Sequence, residues 1–252
     1  MEISLAPETL THIGTFPITN TLLTSWLAAG LLIAAAAFVR ITLATIPRGP
    51  QHLAELIVER LLAFMEEILE DATWARRLLP LLATFFIFIL ATNWLGLFPG
   101  IGSIGIREMH AEREVFVPLL RSVHSDLTMT LALGVISVLS AQLVGFLAGG
   151  KSYLKRFFNF SNPITFFVGL LEMVSEFAKV LSFSFRLFGN VFAGDVLLLV
   201  VGSLVPFLAP IPFYGLELFV GFIQALVFTM LTLVFFKMAI AEAEHYATPH
   251  HS

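Results

Sequence analysis

Long apolar runs alternate with short polar stretches along this chain, and the run lengths dictate an architecture. The first run covers residues 22–46 and carries Arg40 near its end, where a long basic side chain can reach lipid headgroups. Pro47-Arg48-Gly49-Pro50 then breaks the helix. From 51 to 77 the pattern changes. Leu53, Leu56, Ile57, Leu61, Phe64, Ile68 and Leu69 recur near helical spacing, and Glu55, Glu59, Glu66, Glu67 and Glu70 fill the other positions. That pattern predicts an amphipathic helix lying on a membrane surface or against partner helices. A second spanning run covers 78–98 and stops at a stretch rich in Gly and Pro (Gly96, Pro99, Gly100, Gly102, Gly105). A polar segment from Arg107 to Asp126 precedes a third run over 127–150, which the basic Lys151, Lys155 and Arg156 follow.

The remaining runs are too long for simple spans. One helix over 163–206 would approach about 60 Å, and one over 211–241 roughly 45 Å, against a hydrocarbon thickness of about 30 Å. Each must tilt steeply or bend. Pro206, Pro210 and Pro212 mark a tight connection between them, so 163–241 is expected to form a long tilted hairpin within the membrane. Residues 1–21 then form an outer N-terminal segment and 242–252 a cytoplasmic tail. The fold class is an all-α membrane protein in a single polytopic domain, with about five membrane helices and one amphipathic interfacial helix.

Composition agrees with lipid as the solvent. Of 252 residues, 58% are hydrophobic and 13% charged, about half the charge of an ordinary soluble domain. The net charge of −4 gives no reason to expect a nucleic-acid partner. The absence of Cys excludes disulfides and thiolate metal sites. The His residues form no pair of metal-ligand spacing except His250/His251 in the tail, and there is no P-loop, nucleophile motif or dinucleotide fingerprint. No cofactor is expected. The 26 Phe residues are lipid-facing bulk. No Lys or Arg precedes Arg40, so the first run is expected to be a retained anchor and not a secretory signal.

Basic residues set the orientation. With the N-terminus outside, the cytoplasmic segments hold Arg40, Arg48, Arg60, Arg76, Arg77, Lys151, Lys155, Arg156 and Lys237, nine against the three of the outer loop, Arg107, Arg113 and Arg121. The C-terminus is then cytoplasmic.

Six ionisable residues fall inside the last two runs: Glu172, Glu176, Lys179, Arg186, Asp195 and Glu217. Burying a charge in lipid costs at least about 2.5–3.5 kcal/mol, so each must face a partner, water or another subunit. At 100° per residue, Glu172, Glu176, Lys179, Phe183, Arg186 and Asn190 form one helical stripe. Asp195 lies half a rotation from Arg186 on a straight helix. On the last helix Glu217, Gly221, Gln224 and Phe228 share a face. Plainer readings stand beside these: Glu176 and Lys179 as a structural i,i+3 pair, Asn190 as a packing residue, Arg186 as a snorkelling anchor. An isolated Arg stays charged even when poorly solvated. Between two aqueous cavities it blocks free passage of protons and favours the ionised form of a carboxylate brought beside it. With acids such as Asp195 and Glu217 as relays, these are the parts of a gated proton path.

Arg186-Leu187-Phe188-Gly189-Asn190 followed by Ala193-Gly194-Asp195 resembles the signature helix of the F-type ATP synthase subunit a family. The resemblance extends upstream through Leu170-Leu171-Glu172, Ser175, Lys179 and Ser182, and downstream to Gln224-Ala225-Leu226-Val227-Phe228 with Leu231-Thr232. Leu79-Pro80-Leu81, Asn93-Trp94-Leu95-Gly96-Leu97-Phe98-Pro99-Gly100, and Asp126, Thr130 and Leu131-Ala132-Leu133 resemble the family's second and third spanning helices. Coverage is about 22–245. Departures are Val123, His124 and Thr128 around Asp126, Val180 where Pro is common, and Glu176 at a usually apolar position.

The resemblance implies the ion-translocating stator subunit of a bacterial rotary ATP synthase, in the plasma (inner) membrane. It would provide two half-channels carrying protons to and from the c-ring carboxylates, without making or hydrolysing ATP itself. Arg186 would face the c-ring carboxylate and separate the half-channels, with Gln224 near it on the neighbouring helix. Asn190 would help shape the site, Asp195 and Glu217 would line one half-channel, and Glu172 a polar position near the channel. Glu176 either adds a charge to a half-channel or neutralises Lys179. The implied partners are the c-ring, the peripheral-stalk b subunits and the lipid bilayer. The alternative is a stand-alone secondary transporter or proton channel, against which stands the lack of an inverted repeat.

Overall fold

The apolar runs fold as helices, because in lipid each backbone N–H and C=O must find its partner within the segment. The structure, a computed structural model, describes residues 9–13, 16–44, 49–98, 105–110, 113–157, 162–205 and 208–247. Pro47, Arg48, Pro99, Gly100, Gly102, Pro206 and the His250/His251 pair, invoked above, lie outside the described residues. The helices are α1 (Asn20–Ile41), α2 (Pro50–Leu69), α3 (Ala72–Gly96), α4 (Leu127–Gly149), α5 (Pro163–Leu204) and α6 (Pro210–Ala247). All except α2 are long and apolar enough to cross a membrane, which makes this an all-α integral membrane protein. Two small antiparallel hairpins decorate the helices: β1 (Thr9–Ile13) with β2 (Phe16–Thr19), and β3 (Gly105–His110) with β4 (Arg113–Pro118). The first falls in the outer N-terminal segment and the second mostly in the polar segment before α4, and the sequence pattern predicts no strand in either.

Helices α5 and α6 are each continuous, 42 and 38 residues long, and at about 1.5 Å per residue reach roughly 63 and 57 Å. Neither is broken. Helix α6 runs on to Ala247, so Glu242, assigned from sequence to a tail, lies within it. Helix α4 packs against both α5 and α6, and α3 against α6. A wedge of aromatic rings ties them. Phe183 of α5 lies 4.8 Å from Phe228 and 5.2 Å from Phe235 of α6, and Phe85 of α3 meets Phe228 at 5.7 Å. Apolar burial offers little drive between helices in lipid, so close packing and interhelical hydrogen bonds hold the bundle, at about 0.6–2 kcal/mol per bond. The Ser137 and Thr232 hydroxyls make one such bond at 2.8 Å between α4 and α6. Small residues on α4 permit the approach: a Cβ on Gly134 would run into Ser184 of α5, and one on Gly149 into Ala243 of α6.

The amphipathic segment expected over 51–77 ends early, at Leu69. Glu70 adopts a left-handed conformation (φ 57°), and Asp71 caps α3 by accepting from the Thr73 and Trp74 N–H groups at 2.6 and 3.2 Å. Arg76 and Arg77 therefore begin a membrane helix instead of ending a surface one. The backbone N–H groups of Trp74 and Thr73 hold the Asp71 carboxyl below its ordinary range, and the Lys237 ammonium, 2.7 Å from Glu70, does the same there. Helix α1 stands to the side. Only its first turns are buried, through Asn20, Thr21, Thr24, Ser25 and Ala28. Its tether is polar: Thr21 donates to Asp126 at 2.8 Å, and the Arg121 N–H donates to Thr24 at 3.1 Å.

Candidate functional site

The ionisable residues of the hairpin separate into two centres with Arg186 between them. Along α5, Glu176 and Asp195 are nineteen residues apart, about 28 Å of helix, which approaches the thickness of the hydrocarbon core.

At the first centre Asp195 of α5 and Glu217 of α6 line one narrow cavity with Asn190, Asn93 and Ser122. Its internal volume of ≈ 10 Å³ is about the room one water needs. The approach of Glu217 depends on Gly194, because a Cβ there would collide with the Glu217 carboxylate. So the residue before Asp195 lets the second acid cross from the neighbouring helix. Neither carboxylate has a hydrogen-bond or salt-bridge partner among the described residues. Helix α3 pins this end of α6: Asn93 Nδ2 donates to the Gly221 carbonyl at 3.1 Å, and Trp94 Nε1 donates to the Leu218 carbonyl at 3.1 Å. Asn93 Oδ1 is buried without a partner among the described residues.

Close to this end, in the turn before α4, His124 is fully buried, and its Nε2 lies 2.7 Å from the Thr92 hydroxyl. Thr92 donates to the Phe88 carbonyl at 2.7 Å. Its oxygen must therefore accept from His124, which fixes the Nε2–H tautomer and leaves Nδ1 a bare acceptor. Burial drives the His124 pKa down to about 3, so the ring is neutral.

The second centre gathers around Arg156, in the 3-10 turn Gly150–Arg156 that precedes α5. Its buried guanidinium binds Glu172 and Glu176 of α5, the latter at 3.0 Å, and Glu242 of α6. Arg156 also donates to the Tyr153 hydroxyl at 3.0 Å, and that hydroxyl donates to Gln142 of α4 at 2.8 Å. Lys179 donates to Glu176 at 2.7 Å. The i,i+3 pair thus forms for Glu176, whereas Glu172, also placed beside Lys179 by the helical stripe, is engaged by Arg156. Neither Arg156 nor Glu242 stood out in the sequence as a site residue. The only sign was three basic residues after the third run, which served to set orientation.

Arg186 belongs to neither centre. It is exposed on α5 and has no hydrogen-bond or ion-pair partner among the described residues. Gln224 is buried in α6, its Nε2 without a partner among the described residues. The structure therefore brings Asp195, Glu217 and Asn190 to one cavity and Glu172 and Glu176 to one cation, and leaves Gln224 and Arg186 outside both. No group of His, Asp or Glu among the described residues could hold a metal ion.

Comparison with known proteins adds the family. The family described as ATP synthase A chain has a model that matches residues 22–237. Among curated relatives, ATP synthase subunit a of Moorella thermoacetica is 33% identical over 232 residues, 91% of this chain and 94% of its own. ATP synthase subunit a of Campylobacter jejuni (strain 81-176) is 34% identical over 202 residues, 79% of this chain and 80% of its own. That of Syntrophobacter fumaroxidans is 30% identical over 240 residues, 95% of this chain and 92% of its own.

Proposed function

The chain belongs to the ATP synthase A chain family, and from that premise we propose that it is the stator subunit that routes protons past the rotating c-ring. Asp195 and Glu217 form the relay of one half-channel, on the outer side when the N-terminus is outside. Glu172 lines the other, on the cytoplasmic side. Arg186 stands between them and faces the rotor carboxylate. A carboxylate arriving beside the fixed guanidinium is stabilised in its ionised form and gives up its proton. The same charge repels hydronium that would cross directly between the half-routes. Gln224 and Asn190 are polar groups of the same hairpin. The subunit contributes to ATP synthesis by converting proton flow into rotation, with the chemistry on ATP done elsewhere in the complex. The c-ring packs on the face of α5 and α6 that carries Arg186, and the peripheral-stalk b subunits contact the stator from another side. The host membrane is the bacterial plasma membrane.

One observation carries this reading: two carboxylates with no hydrogen-bond or salt-bridge partner among the described residues meet across the hairpin, while an exposed Arg stands about 13 Å of helix away on the same α5. A charge that lipid would penalise heavily is tolerable there if a partner subunit brings a counter-charge. The rival reading, a self-sufficient transporter, is tested by reconstitution. Purified alone into liposomes, the chain is expected to leave proton permeability at the level of empty vesicles. Assembled with the c-ring and the rest of the complex, it is expected to support ATP-driven acidification. Proton flux through the isolated chain would overturn the proposal.

A further inference from the structure

Four elements meet at the Arg156 cluster. Among the described residues, the three acids Glu172, Glu176 and Glu242 share the cations Arg156 and Lys179. An anchor for the turn before α5 would need a single carboxylate. The three acids are also unevenly placed. Glu176 takes both cations and its side chain is 12% exposed. Glu172 and Glu242 are 30% and 32% exposed, while the Arg156 side chain that holds them is 6% exposed. They line a cavity of ≈ 310 Å³ together with His245, room for several waters. The two acids come from opposite arms of the hairpin, and without a cation between them they would repel each other.

We propose that Arg156 is a positioning residue that holds Glu172 and Glu242 as a paired proton-exchange site at the cytoplasmic mouth of the hairpin. The proposal rests on the half-channel reading above and adds Glu242 and Arg156 to it. A proton leaving the rotor passes to a carboxylate oxygen of the pair and from there to cavity water, leaving as hydronium. The planar guanidinium is suited to holding the pair, because it offers one nitrogen to each acid and cannot itself be titrated. The groups facing the pair are Tyr153 from the turn, Gln142 from α4 through Tyr153, Glu176 and Lys179 from α5, and His245 from α6.

The experiment uses the complete ATP synthase in liposomes, with proton flux followed as the pH on the cytoplasmic side is varied. Arg156→Gln is expected to lower maximal flux by roughly tenfold. It should also move the half-maximal pH on that side alkaline by about one unit, because carboxylates stripped of the cation hold protons more tightly. Arg156→Lys keeps the charge without the fork and should keep the wild-type pH profile at a reduced rate. Glu242→Gln should lower flux and change the profile while leaving Glu176 paired. If Arg156→Gln retains the wild-type rate and profile, or loses rate with the profile unchanged, the residue is an anchor and the proposal falls. If Arg156→Gln does not assemble, Glu242→Gln decides: an unchanged profile there overturns the proposal. Arg186→Ala measured in parallel keeps the two levels apart. A dead Arg186→Ala beside normal Arg156 and Glu242 variants removes only this inference, whereas a normal Arg186→Ala removes the half-channel reading itself.

Discussion

The two polar ends of the hairpin handle buried carboxylates in opposite ways. Around Arg156, acids are held by cations, and the Tyr153 hydroxyl accepts from the same guanidinium. Around Asp195 and Glu217, acids share a narrow cavity and have no hydrogen-bond or salt-bridge partner among the described residues. The first arrangement positions its acids on a shared cation. The second positions them by helix packing alone and leaves their protonation to the surroundings. Arg186, exposed between them, is the charge that neither end satisfies. The contrast predicts how strongly substitutions at each place slow proton movement.

The largest effect is expected at Arg186. Arg186→Ala should abolish ATP-driven pumping in the assembled complex and open a passive leak, because the barrier between the half-routes is gone. Arg186→Lys should be severely impaired with less leak, since it keeps a charge but not the rigid fork and is more easily neutralised when desolvated. Proton flux through purified complex in liposomes measures both. Coupled pumping near the wild-type rate in Arg186→Ala would make the residue a membrane anchor.

Next comes the end that holds Asp195 and Glu217. Asp195→Ala with Glu217→Ala should slow ATP-driven pumping by about a hundredfold with assembly intact, the scale of a lost proton-transfer group. Near-normal pumping in the double variant would remove the cavity from the route. A finer cut is Gly194→Ala. The added methyl must displace the Glu217 carboxylate, so pumping should fall by roughly tenfold while both acids remain in the chain. An unchanged rate would mean that the proximity of the two acids does not matter.

These contrasts were unevenly legible in the sequence. The five spanning helices follow from run length, because lipid leaves a chain few alternatives. Asp195 and Glu217 stood out as charges in apolar runs. The Arg156 cluster did not. Arg156 lies sixteen residues before Glu172, outside any helical stripe, and its basic neighbours Lys151 and Lys155 make it look like an ordinary flanking charge. Helical periodicity paired Glu176 with Lys179 correctly but could not see a cation arriving from a loop. The corner between α2 and α3 was hidden for another reason. It turns on a Glu in the left-handed region and an Asp cap, with no Gly or Pro to mark it. The apolar rhythm of 51–69 continues into Trp74 and Leu78, so the pattern alone runs the two helices together.

The smallest expected effect belongs to His124, which offers a third way of burying an ionisable group: it is kept neutral. Its Nε2–H donates to Thr92, and its bare Nδ1 has no hydrogen-bond partner among the described residues. Burial disfavours the charged ring in the folded state, and the pKa lies near 3 against an ordinary 6.5. The unfolded chain has no such restriction and binds a proton below about pH 6.5. Stability from this site is thus complete above pH 6.5 and falls as the pH drops from there toward 3. Between pH 7 and 5 the loss amounts to about 2 kcal/mol. His124→Gln can keep a donor to Thr92 without the titration. Its thermal unfolding in detergent should be less stable than wild type at pH 7 and should lose less between pH 7 and 5, while proton flux at pH 7 stays close to wild type. An equal loss on acidification in both proteins would mean that the ring finds an acceptor when charged. A large fall in flux at neutral pH would move His124 from the scaffold into the same category as Asp195 and Glu217, and the division between scaffold and proton route would have to be redrawn at this end of the hairpin.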